Sequence, residues 1–132
     1  GPESAVTREY LENLSLHKTC ALIRGACVAG VRLAGQKSLE KLLAAKKFGE
    51  ALGLAFQIKD DYLDVYGDAA ELGKPVGSDK QSGKLTFVDI LGKEGCLAEI
   101  RRQTETASSM MQAFEKTDFM LWLINELVER RK

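Results

Sequence analysis

Three aspartates, Asp60, Asp61 and Asp64, stand inside a strongly apolar stretch, GLAFQIKDDYLDVYGD, where unpaired charge is expensive to bury. Successive residues on an α-helix turn by about 100°, so the three fall within one arc, with Gln57 one turn before and Asp68 one turn after. The outcome is a row of oxygen atoms on one helix face. Carboxylates this close repel one another, and a hard divalent cation removes the repulsion while using their oxygens as ligands. Magnesium binding is the chemistry that such a row points to. The Asp-Asp-x-x-Asp spacing is a weak signal alone, because acidic residues often decorate a solvated helix face, and the apolar setting strengthens it.

The elements that must position this row all read as helices. Over residues 4–34, Leu11, Leu14, Ala21, Leu22, Ala26, Val28, Ala29 and Leu33 keep helical spacing, and Gly35 follows as a C-cap. Gly25 and Gly30, with Ala21, Ala26 and Ala29, offer small surfaces for a close neighbour. A second helix is expected from Ser38, its cap, to Val65 or Tyr66; it is long and apolar enough in its second half to be the central one. Residues 67–83 hold Gly67, Gly73, Pro75, Gly77 and Gly83 and read as a loop, with Lys74, Lys80 and Lys84 in or beside it. A short helix over 86–91 should end at Gly92. An amphipathic helix over 96–115 follows, and Thr117 or Asp118 is placed to cap a last helix through Val128. Met110, Met111, Phe119 and Trp122 have the spacing of core or helix-packing residues. No segment alternates as a strand does, so the fold is expected to be all-α.

Composition narrows the function. The 132 residues suffice for one domain with a core, and Lys plus Arg equals Asp plus Glu at 19 each, which gives no basic excess for nucleic acid. No apolar run reaches the roughly 18 residues that a membrane span needs, and no signal-peptide pattern opens the chain. Cys20, Cys27 and Cys96 match neither a zinc spacing nor an even disulfide set, which suits a reducing cytoplasm. Gly1 and Pro2 read as a protease scar, leaving residues 3–132 as protein whose natural start lies elsewhere. His17, the sole histidine, is assigned a structural role, and Asp68 and Asp79 are turn residues by default.

The wider set of motifs is more specific than the aspartates alone. Gln57, Gly67-Asp68, Leu72-Gly73-Lys74-Pro75, Gly77-Ser78-Asp79 and Gly83-Lys84-Leu85-Thr86 surround them in order, and His17-Lys18-Thr19 precedes them. Together these resemble the trans-isoprenyl diphosphate synthases, the farnesyl and geranylgeranyl diphosphate synthase family. GLAFQIKDDYLDVYGD and LGKPVGSDKQSGKLTF look like that family's second aspartate-rich motif and the loop after it. The resemblance runs from Ala5 to Lys132 but covers only the C-terminal half of a family member. The first aspartate-rich motif, its diphosphate-gripping arginines and the residues that set product length belong to the other half. Cys20 stands where glycine usually follows Lys-Thr, a departure that bears on helix packing more than on chemistry.

By position, the resemblance implies the C-terminal half of the isoprenoid synthase helical bundle, in a homodimer or larger oligomer. Asp60, Asp61 and Asp64 would bind magnesium bridging to an allylic diphosphate. Lys18 and Lys74 would contact that diphosphate, with Lys84 near it. Thr19 and Gln57 would turn oxygens toward the developing allylic cation, and Arg130 and Arg131 would lie near isopentenyl diphosphate. The reaction implied is condensation of isopentenyl diphosphate with the allylic diphosphate. Because that cage uses two facing aspartate-rich helices, the isolated chain is expected to bind magnesium diphosphate weakly and to turn over little. A truncated synthase-like subunit that binds or regulates a partner is the alternative. A terpene cyclase fits less well, since cyclases usually replace this motif with an Asn or Asp, Ser or Thr, Glu triad.

Overall fold

The computed structural model describes residues 18–35, 38–67 and 85–129, and these are helical as expected. Four α-helices follow in order: α1 (Lys18–Leu33), α2 (Leu39–Tyr66), α3 (Phe87–Met110) and α4 (Asp118–Ile124). A 3₁₀ turn, Met111–Ala113, joins α3 to the approach to α4, and α4 runs on into a π turn over Asn125–Glu129. Among the described residues no helix is long and apolar enough to cross a membrane.

α2 is central, with α1 and α3 each packed along it. Its start is set by Ser38, whose hydroxyl accepts the Lys41 amide at 3.2 Å, and its end by Gly67, whose N–H reaches the Leu63 carbonyl at 2.7 Å. Phe48, Leu52, Ala55 and Ile58 are fully buried along it. Phe48, Ala51, Leu52 and Ala55 meet Cys27 from α1, Ala107 from α3, and Met120, Ile124 and Val128 from the C-terminal elements. One turn on, Leu54 and Ile58 meet Phe87 and Cys96 of α3 in a second cluster. Burying each large side chain of this kind stabilises the fold by roughly 1.5–3 kcal/mol.

The close crossing of α1 and α2 differs from expectation. Gly25 and Gly30 have open space around them, whereas a Cβ on Gly49 would stand 2.6 Å from Arg24 Cα and one on Gly53 would stand 3.0 Å from Cys20 Cα. The small residues that admit the neighbour are thus on α2, one turn apart. Cys20 is the residue they admit, and its side chain is buried there. The two contacts pair Cys20 with Gly53 and Arg24 with Gly49, so α1 and α2 run antiparallel. Arg24 also meets Glu50 at 3.5 Å on the half-exposed rim of this crossing, a position where an ion pair contributes little.

α3 realises two expected helices as one kinked element. Gly92 adopts φ 73°, which ends the first turns at Leu91 and re-aims the rest of the helix. The helical part after the kink begins before Cys96 and gives way to the 3₁₀ turn at Met111, short of residue 115. Lys93 just beyond the kink lies over the Tyr66 ring at 5.1 Å, and Tyr66 in turn meets Tyr62 at 4.9 Å, tying the bend to the end of α2. Thr117 stands at the α4 N-cap without a side-chain cap bond. Met110 and Met111 pack on the core as read. Phe119 and Trp122 do not join it: they are 61% and 55% exposed and stack on each other at 6.1 Å. Their spacing was helical, but the face it defines turns away from α2.

Candidate functional site

The aspartate row lies on the last two turns of α2, where the three side chains have different surroundings. Asp60 is half-buried, whereas Asp61 and Asp64 are 2% and 1% exposed. About 100° per residue puts Asp60 and Asp64 some 40° apart around the helix, with Asp61 turned further toward α3. There its Oδ2 accepts the Phe87 backbone N–H at 2.9 Å. Its Oδ1 accepts Gln57 Nε2 at 3.4 Å from one turn earlier. A carboxylate only accepts, so this bond fixes the Gln57 amide with nitrogen toward Asp61 and oxygen turned away.

Phe87 opens α3 under a reciprocal cap. Thr86 Oγ1 accepts the Asp89 N–H at 3.4 Å, and Asp89 Oδ2 accepts the Thr86 N–H at 3.0 Å. Thr86 is 2% exposed, so the box is part of the buried floor beside the aspartates. Neither Thr86 as a cap nor the Phe87 amide as a partner of Asp61 was foreseen. The Thr-Phe-Val-Asp run carries the box signal in an Asp variant, while the amide lies 26 residues from Asp61 and leaves no mark in the sequence. Cys96 completes the floor: burial, with the Asp61 charge adding to it, pushes its thiol from 9.0 up to about 11. Burial alone pushes Cys27 up to about 11 and raises Cys20. These thiols stay protonated at neutral pH and are poor nucleophiles.

The remaining expected site residues divide in two groups. Lys18 and Thr19 begin α1, and their side chains lie outside the described residues; the antiparallel register places their backbone beside α2 between Gly53 and Gln57. Lys74, Lys84, Arg130 and Arg131 lie outside the described residues, as do His17, Asp68 and Asp79. Among the described residues no three His, Cys, Asp or Glu side chains are grouped to hold a metal ion by themselves. The oxygen donors suit a hard cation in chemistry, and Asp60 alone of the three is more than marginally exposed. Asp61 fits less well, because its Oδ2 is already bonded to Phe87, and Asp64 is as deeply buried and has an interaction of its own.

Helices packed on a central one, with Asp61 of that helix bonded to the start of the next, make the described part of the chain all-α. The family model for polyprenyl synthetase matches residues 2–127. The chain belongs to that family. It is 40% identical over 131 residues to farnesyl diphosphate synthase of Escherichia coli (strain K12), covering 96% of this chain and 44% of the relative. It is 38% identical to farnesyl diphosphate synthase of Micrococcus luteus, covering 100% of this chain and 45% of that one. A solved structure from Marinomonas sp. MED121, itself assigned as a farnesyl-diphosphate synthase, superposes with a TM-score of 0.69 at 28% identity, covering 89% of this chain and 39% of that one. The chain thus spans less than half the length of these relatives.

Proposed function

We propose that the protein carrying this chain is a magnesium-dependent short-chain prenyltransferase that condenses isopentenyl diphosphate with an allylic diphosphate, and that this chain supplies one wall of its site. The observation that carries the reading is the aspartate row on the buried central helix of a polyprenyl synthetase family member. Asp60, Asp61 and Asp64 form the acidic wall that would hold magnesium. When bound, that cation would offset the charge that grows on the diphosphate as it leaves. Lys18 and Lys74 would grip the same diphosphate, with Lys84 beside them, and Arg130 and Arg131 would serve isopentenyl diphosphate. Gln57, its amide nitrogen held by Asp61, would present its oxygen to the allylic cation together with Thr19. Apolar neighbours such as Phe56 and Ile58 would keep water from it. The unpaired thiols suit a cytoplasmic home.

One feature favours a partner subunit, or the two-copy assembly expected of this family. Leu22, Leu33, Leu39 and Trp122 are more than half exposed, an apolar surface that association would cover. The test mixes this chain with a separately expressed segment corresponding to the relatives' other half, both diphosphates and Mg²⁺. Condensation only on mixing supports the reading. Appreciable turnover by the 132-residue chain alone, its mass confirmed, overturns the half-site part of it.

A further inference from the structure

The magnesium reading gives all three aspartates one task, yet Asp61 is engaged elsewhere. The first amides of a helix have no intrahelical acceptor, and a carboxylate beside them is stabilised by the helix dipole. At the start of α3 the capping box serves Thr86 N–H and Asp89 N–H, and Asp61 takes the Phe87 N–H between them at 2.9 Å. Its other oxygen meets Gln57 Nε2 at 3.4 Å.

We propose that Asp61 is a positioning residue that anchors the first turn of α3 to α2 and sets the orientation of Gln57, and is not itself a metal ligand. The part concerning metal ligation rests on the magnesium reading, whereas the anchor does not. The charge of Asp61 strengthens the bond to the amide, but the bond needs only an acceptor. In Asp61→Asn the side-chain oxygen still accepts Phe87 N–H, and the Gln57 amide turns over to offer its oxygen to the new NH₂ group.

The experiment compares the full protein that carries this chain with its Asp60→Asn, Asp61→Asn and Asp61→Ala variants. Amide hydrogen exchange at Phe87 is read without metal, and Mn²⁺ with inorganic diphosphate is the metal probe, followed by electron paramagnetic resonance. Phe87 is expected to be protected in the parent protein and in Asp61→Asn, and to exchange about tenfold faster or more in Asp61→Ala. Mn²⁺ affinity is expected to fall about tenfold or more in Asp60→Asn and less than about threefold in Asp61→Asn. An unprotected Phe87 amide in the parent protein overturns the anchor. Loss of Mn²⁺ affinity in Asp61→Asn equal to that in Asp60→Asn, with Phe87 still protected, overturns the division of labour. Should Asp61→Ala fail to fold, the parent and Asp61→Asn measurements still decide both points. If the parent protein binds no Mn²⁺, the magnesium reading falls, and the exchange data alone decide the anchor.

Discussion

A carboxylate that is 2% exposed, as Asp61 is, survives in a core only because charge-assisted hydrogen bonds replace the water it gave up. The same interior holds three thiols in their neutral form, and this has a measurable sign. Cys27 and Cys96 are raised in the fold from 9.0 to about 11, so an unfolded chain releases these protons first as the pH climbs. Their contribution to stability is therefore complete below pH 9 and lost as the pH rises toward 11. Urea midpoints measured at intervals across that range should fall for the parent protein and fall less steeply for the Cys27→Ala/Cys96→Ala variant; equal slopes would contradict the assignment. At this scale the sequence offered the candidate residues but not their partners. An acidic triplet in an apolar helix is visible from spacing alone, but the partner of Asp61 is a backbone amide, and every residue type has one.

Helix packing turns on glycine at two positions. Gly49 and Gly53 face the α1 backbone at distances that no Cβ tolerates without movement, so Gly53→Ala or Gly49→Ala should cost about 1–3 kcal/mol by chemical denaturation. Gly25→Ala and Gly30→Ala meet open space and should stabilise by about 0.5–1 kcal/mol through helix propensity. The opposite pattern would mean that α1 presents its glycines to α2 after all. Thr86→Ala should cost about 1 kcal/mol, because it removes the cap of α3 beside the aspartates. Boundaries set by local chemistry were legible: the Ser38 cap, the Gly35 stop at φ 84° and the Gly92 break. Which of two glycine pairs lies in the crossing was not legible, because both have helical spacing and only the tertiary register separates them. Phe119 and Trp122 illustrate the same limit, since periodicity defines a face but not what covers it.

For the molecule as a whole, the described helices leave apolar surface uncovered. Large apolar side chains remain exposed on α1, α2 and α4, and the chain spans 44% of its Escherichia coli relative. Light scattering on the 132-residue chain should show self-association that a complementary half suppresses; a stable monomer would count against the missing-wall reading. All-α architecture and a central second helix were readable because hydrophobic period and helix length report them directly. The catalytic claim is tested most directly by condensation of labelled isopentenyl diphosphate with an allylic diphosphate in the full protein that carries this chain. The expected result is a product five carbons longer that requires Mg²⁺, with turnover reduced about 100-fold or more by Asp60→Asn. Undiminished turnover in EDTA, or in Asp60→Asn, would contradict the account.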